Sequence, residues 1–221
     1  MHESNECFWR HCKTKYAKYL NNPRATRLEV GSFNVNGSLR VILGKSKEHI
    51  GVDFRPGRCV DVVCLAHEMD FGRQFDAVIS ASMLEHDPYW KSSIKNMLSH
   101  LKDDGILVLS WGAAKNKPHG GWETPAVPEV SDADKVSDVE KGKSFYSLPA
   151  GRLISHLESL GVYIHKFHYE GNFVKHQWGY KLIPADTMYD GMGEVCLVAF
   201  KDKVYADGEQ EIDKLIPEDD V

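Results

Sequence analysis

The chain lacks any apolar run of about 18 residues, so no segment reads as a membrane-spanning helix. It also lacks a basic excess: Lys and Arg number 27 against 32 Asp and Glu, and the formal net charge is -5. Polyphosphate partners draw on a basic patch or stripe, so nucleic acid is disfavoured. The five cysteines (Cys7, Cys12, Cys59, Cys64 and Cys196) are odd in number and match no zinc spacing. A disulfide framework is not expected, and a reducing cytoplasm is the simplest compartment. The opening residues, MHESNECFWRHCK, hold no apolar stretch of the kind a secretory signal needs, so secretion is not expected. The histidines lack metal spacing, and His165 and His168 would face opposite sides of one strand. No metal site is expected.

What the chain has is alternation. Its 221 residues suit one α/β domain with insertions. Residues 1–22 read as an N-terminal helix in which Phe8, Trp9, Tyr16 and Tyr19 share one side. RLEV is a first strand, and LRVILG is a helix ending at Gly44. HIGVDF, CVDVVCL and FDAVIS give the second, third and fourth strands, with RPGR as a turn. Asp87 and Pro88 are a start signal for a helix carrying Ile94, Met97, Leu98 and Leu101 on one face. Lys102 to Gly105 turn the chain into a fifth strand, GILVLSW, apolar enough for burial on both faces. Leu153, Ile154, Leu157 and Leu160 mark a helix closed by Gly161, before VYIHKFHY and EVCLVAF. Residues 112–146 and 170–193 read as insertions, and 202–221 as an acidic tail that frays.

Strands alternating with helices imply a mostly parallel sheet covered on both faces. Such sheets bind ligands beyond the carboxyl ends of their strands, where strand order reverses. The first strand ends near Glu29, Gly31 follows, and Gly37 opens the next helix. Glycine there permits a sharp turn and a close ligand. Asp53 closes the second strand about twenty positions after Gly31, the spacing of a carboxylate that holds ribose hydroxyls. A nicotinamide site would want a second early glycine for its pyrophosphate, and this chain has Phe33.

Taken together, LEVGSFNVNGSLR, GVDFRPGRCVDVV, FDAVISASMLEH and LKDDGILVLS resemble the ordered motifs of class I S-adenosylmethionine-dependent methyltransferases, most nearly the methyltransferase type 11 group. The likeness covers residues 26–111, the expected cofactor-binding core, and weakens through the last strands. It implies a Rossmann-like, seven-stranded, mostly parallel sheet with the last strand antiparallel. It implies S-adenosylmethionine as cofactor, with Glu29 and Gly31 lining the methionine end, Ser32 and Gly37 also among the cofactor-binding residues, and Asp53 holding the ribose. Ala66, His67, Glu68 and Met69 would flank adenine, and Ser80 to Glu85 would close the pocket near the sulfonium. Leu65 stands where many relatives place an acid before the adenine segment.

The sulfonium methyl is already activated, so the protein mainly orients the reactants and excludes water. His86 is the best single base candidate, because His titrates near neutrality. Its preferred reading is structural, bonding the loop before Pro88. The acceptor is expected to be a small molecule or glycan-like, with its pocket formed by the two insertions. The alternatives are a noncatalytic module that keeps the cofactor pocket and a dinucleotide-dependent oxidoreductase.

Overall fold

The computed structural model describes residues 3–112, 148–171 and 193–205. Strands β1 (Thr26–Val30), β2 (Glu48–Asp53), β3 (Val62–Val63), β4 (Phe75–Ala81), β5 (Leu101–Gly112), β6 (Tyr163–Gly171) and β7 (Gly193–Phe200) form one sheet. Their order is β3-β2-β1-β4-β5-β7-β6, and β7 runs antiparallel to both neighbours. The other strands are parallel, as the sequence pattern predicts. Strand order reverses between β1 and β4, which places a ligand crevice at their carboxyl ends.

Alternation along the central strands sends side chains to two separate cores. On one face, Leu28, Val30, Val78, Leu107 and Leu109 pack against helices α4 (Trp90–Ser99) and α5 (Ala150–Ser159). The helices contribute Ile94, Met97, Leu153 and Leu157, all fully buried. Each such side chain contributes about 1.5–3 kcal/mol on leaving water. On the other face, Ala77, Ile79, Ile106 and Val108 meet α1 (Glu3–Lys15), α2 (Ala17–Leu20) and α3 (Leu39–Leu43). Phe8, Trp9, Tyr16 and Tyr19 are all buried there, as their shared side predicts. Helices therefore cover both faces.

Several boundaries differ from expectation. The third strand keeps only Val62–Val63 of CVDVVCL, and Cys59, expected within it, takes a left-handed φ of 70°. Asp87 does not cap α4. Its Oδ1 accepts the Tyr89 N–H at 2.8 Å, and the helix begins at Trp90. A 3-10 turn, Leu84–His86, fills the gap after β4. Lys102 to Gly105, expected as a turn, lie inside β5, where its register against β4 breaks between Leu101 and Ile106. The two expected insertions and the acidic tail lie almost wholly outside the described residues. Among those residues no helix is long and apolar enough to cross a membrane.

Candidate functional site

The turn after β1 is built around Gly31. Its φ of +81° is a conformation that L side chains rarely adopt. A Cβ there would lie 2.5 Å from the Met83 Cβ, so the segment after β4 presses directly on this backbone. Ser38 then caps α3, its side chain accepting the Arg40 N–H at 3.2 Å. Gly37 sits just ahead of that cap, its N–H bound to Asn34 Oδ1.

The N–H groups of Gly31 to Asn34 are spent within the protein. Gly31 and Ser32 both donate to Val52 O, at 2.8 and 3.0 Å. Phe33 donates to Asp53 Oδ2 at 3.2 Å, and Asn34 to Arg58 O at 3.0 Å. A pyrophosphate-binding turn presents such groups to its ligand. The Phe33 ring packs where a side chain on Gly57 would stand, and the Arg55 guanidinium lies 4.8 Å from its centroid.

Asp53 stands at the carboxyl end of β2, beside this turn. Its Oδ1 accepts the Arg55 N–H at 3.1 Å and its Oδ2 accepts Phe33. Two carboxylate oxygens offer about four lone-pair sites, so acceptor capacity remains for ribose hydroxyls. Burial pushes the carboxyl above the ordinary aspartate value, against the lowering pull of the Arg55, Phe33 and Phe54 N–H groups and the Arg55 charge.

Glu29 is placed differently from a free loop carboxylate. It is 4% exposed, and its Oε2 lies 2.6 Å from His49 Nε2 on β2. Arg27 shares its face of β1 and is fully buried, with nitrogens 3.2 Å from Leu20 O and 2.6 Å from Gly44 O. Burial lowers its pKa to about 10. Arg40 on α3 pairs with Asp61, which also accepts the Gly51 N–H at 2.7 Å. A charged layer thus lies behind the glycine turn, under α3. No pattern in the sequence flagged His49, because one His in a strand has no spacing to reveal its partner.

The segment expected at adenine is held to α4. Asn96 Nδ2 donates to Ala66 O at 3.0 Å and to Met69 O at 2.8 Å. The His67 ring lies 4.4 Å from that of Tyr89, and Glu68 is exposed, 3.8 Å from His67. Met69 is 3% exposed and belongs to the core. His67 and Met69 also line a cavity of about 460 Å³ with Arg73, Asn96 and His100, which reaches the amino ends of β4 and β5. Ser80, near the end of β4, is fully buried, and its Oγ has no hydrogen-bond partner among the described residues. Ser32 Oγ is likewise buried and unpartnered. His86 is half-buried on the 3-10 turn, its N–H bound to Met83 O at 2.8 Å. The structure brings Gly31, Ser32 and Asp53 together. Ser80 lies one residue before the end of the neighbouring strand, and Glu29 stands behind the turn.

No protein-family model matches the sequence, and no curated protein matches it. Solved structures do match in fold. An S-adenosylmethionine-dependent methyltransferase from Clostridium acetobutylicum is 9% identical at TM-score 0.58, covering 90% of this chain and 92% of that one. The 1,6-didemethyltoxoflavin-N1-methyltransferase of Burkholderia thailandensis, solved with S-adenosylhomocysteine, is 13% identical at TM-score 0.54, covering 89% and 78%. The cyclase SpnF is 14% identical at TM-score 0.54, covering 86% and 79%. The chain has the Rossmann-like fold of class I S-adenosylmethionine-dependent methyltransferases.

Proposed function

We propose that this chain transfers a methyl group from S-adenosylmethionine to a small-molecule or glycan-like acceptor. One observation carries the reading: a left-handed Gly31 turn faces a partly satisfied Asp53 at the strand-order reversal, with the N–H groups of Gly31 to Asn34 already spent. A dinucleotide would need those N–H groups for its phosphates. An adenosyl sulfonium has no phosphate and needs a carboxylate for its ribose beside the turn. The unpartnered Ser80 hydroxyl, near the end of β4, fits a polar ligand there.

Bound there, the cofactor would supply a methyl group activated on sulfur. Asp53 would hold the ribose, with Gly31, Ser32 and Gly37 shaping the methionine end. Glu29 would act from behind, holding β1 to β2 through His49. His67, Glu68 and Met69 would form the adenine side, steadied by Asn96. The protein's work is orientation and exclusion of water. His86 would serve as a base only where the acceptor must shed a proton. The likeness to a cyclase supports a second reading, in which the same pocket serves a reaction other than methyl transfer.

Calorimetric titration with S-adenosylhomocysteine and with NAD tests the pocket. Binding of the first and not the second is expected, and the reverse would overturn the reading. Tritium transfer from methyl-labelled cofactor into a lysate then separates methyl transfer from the second reading.

A further inference from the structure

Glu85 carries a carboxylate that the fold satisfies on one side only. It is 1% exposed. Its Oε1 accepts the Gly112 N–H at 2.9 Å, while Oε2 has no hydrogen-bond partner among the described residues. Water does not reach it, and a single neutral hydrogen bond is poor compensation for a buried charge. Buried polar atoms without partners are rare enough in native folds to call for a specific reason.

Its place in the fold supplies that reason. Glu85 lies on the 3-10 turn, two residues beyond Met83, which presses on Gly31. The N–H it holds belongs to the last residue of β5. It therefore bridges the carboxyl ends of β4 and β5, beside the strand-order reversal. Of the other polar groups at the carboxyl ends of β4 and β5, Ser80 Oγ is also buried without a partner among the described residues, whereas Ser110 is answered within the protein. Ser110 Oγ donates to Asn5 Oδ1 at 2.9 Å and accepts the Trp9 indole N–H at 3.1 Å. Asn5 Nδ2 donates to Ser82 Oγ at 3.3 Å. Glu85 Oε2 is left over at the carboxyl ends of β4 and β5, the end of the sheet where such folds bind ligands.

We infer that Glu85 is the anionic receptor for the positive charge at the point of methyl transfer. The inference rests on the function proposed above and adds a charge-reading residue to it. The carboxylate faces the cation of the bound ligand and completes its own coordination when that ligand arrives. Discrimination between charged and neutral forms of the cofactor follows, because removing the charge leaves Oε2 buried and unpaired again.

The test compares two probes that share adenosine and the amino acid end. S-adenosylhomocysteine is neutral at sulfur. Sinefungin carries a protonated amine where the methylsulfonium stands. The wild-type chain is expected to bind sinefungin about tenfold more tightly, equivalent to about 1.4 kcal/mol. Glu85→Gln keeps an oxygen for the Gly112 N–H but loses the charge. It is expected to lose that preference while its affinity for S-adenosylhomocysteine changes less than about twofold. Equal binding of the two probes by wild type overturns the inference without any variant. So does a preference that survives in Glu85→Gln. If wild type binds neither probe, the proposed function falls and takes the inference with it.

Discussion

Glu29 and His49 meet across β1 and β2 with Oε2 and Nε2 2.6 Å apart, and their side chains are 5% and 6% exposed. The pair fastens the strand that ends in the glycine turn to the strand that ends in Asp53. His49→Ala would leave the Glu29 carboxylate buried without this partner. Breaking a buried pair from one side costs about 3–5 kcal/mol. The expected outcome is a lower urea midpoint at an unchanged slope. A loss below about 1 kcal/mol would show that neighbouring groups hold Glu29 without His49.

Gly31 and Met83 make the second prediction. Gly31→Ala meets a left-handed backbone and a Cβ contact of 2.5 Å with Met83. The backbone term costs about 1–2 kcal/mol and the overlap about 1–3 more. Trimming Met83 to Ala removes the overlap and leaves the backbone strain. A double-mutant cycle should therefore show positive coupling, with Met83→Ala rescuing part of the loss. Strict additivity would mean that Met83 moves aside freely.

The strands and helix faces were legible because their apolar spacing follows directly from local geometry. Gly31 and Asp53 were legible because a strand end, a glycine and a later acid recur at a fixed separation. Contacts made across the fold were not. Arg40 holds Asp61, and Asp61 binds the Gly51 N–H, so the chain enters β3 late and the strand shrinks to two residues. Asp87 looked like a helix cap, yet Leu84 to His86 wind into a 3-10 turn and shift the helix start to Trp90. Glu85 was named only as the end of a segment expected to close the pocket. Its importance comes from burial at the end of β5, a strand more than fifteen residues further on.

Asp76 ties three elements at the amino end of the sheet. It accepts the Thr26 N–H at 2.7 Å, the Thr26 hydroxyl at 2.8 Å and the Lys102 ammonium at 2.6 Å. Burial opposes its ionisation, but the hydrogen bonds from Lys102 and Thr26 together outweigh that and hold its carboxyl below the ordinary value. Folded Asp76 thus releases its proton more readily than the unfolded chain does. It adds stability at neutral pH, and that stability fades as pH falls through the depressed value. Asp76→Ala should cost about 1–2 kcal/mol at neutral pH. The gap from wild type should narrow in strong acid, as followed by denaturant titration at several pH values. A gap independent of pH would show that packing, not charge, accounts for the loss.

Asp53 behaves in the opposite sense. Burial raises its carboxyl, so the folded chain binds this proton more tightly than the unfolded chain does. Its contribution to stability is present in acid and is lost as pH rises through the raised value. The ionised form opposes folding at neutral pH, yet it is the form that accepts hydrogen bonds from ribose hydroxyls. Asp53→Ala should therefore weaken S-adenosylhomocysteine binding at least about tenfold, or about 1.4 kcal/mol. In wild type the affinity should fall on acidification, starting at a higher pH than an ordinary aspartate would dictate. The variant should show no such fall, because the titrating group is gone. Calorimetry across the mildly acidic range reads both effects. Equal affinity in wild type and Asp53→Ala would remove this carboxylate from the ribose site and leave the Gly31 turn without a partner for the adenosyl group.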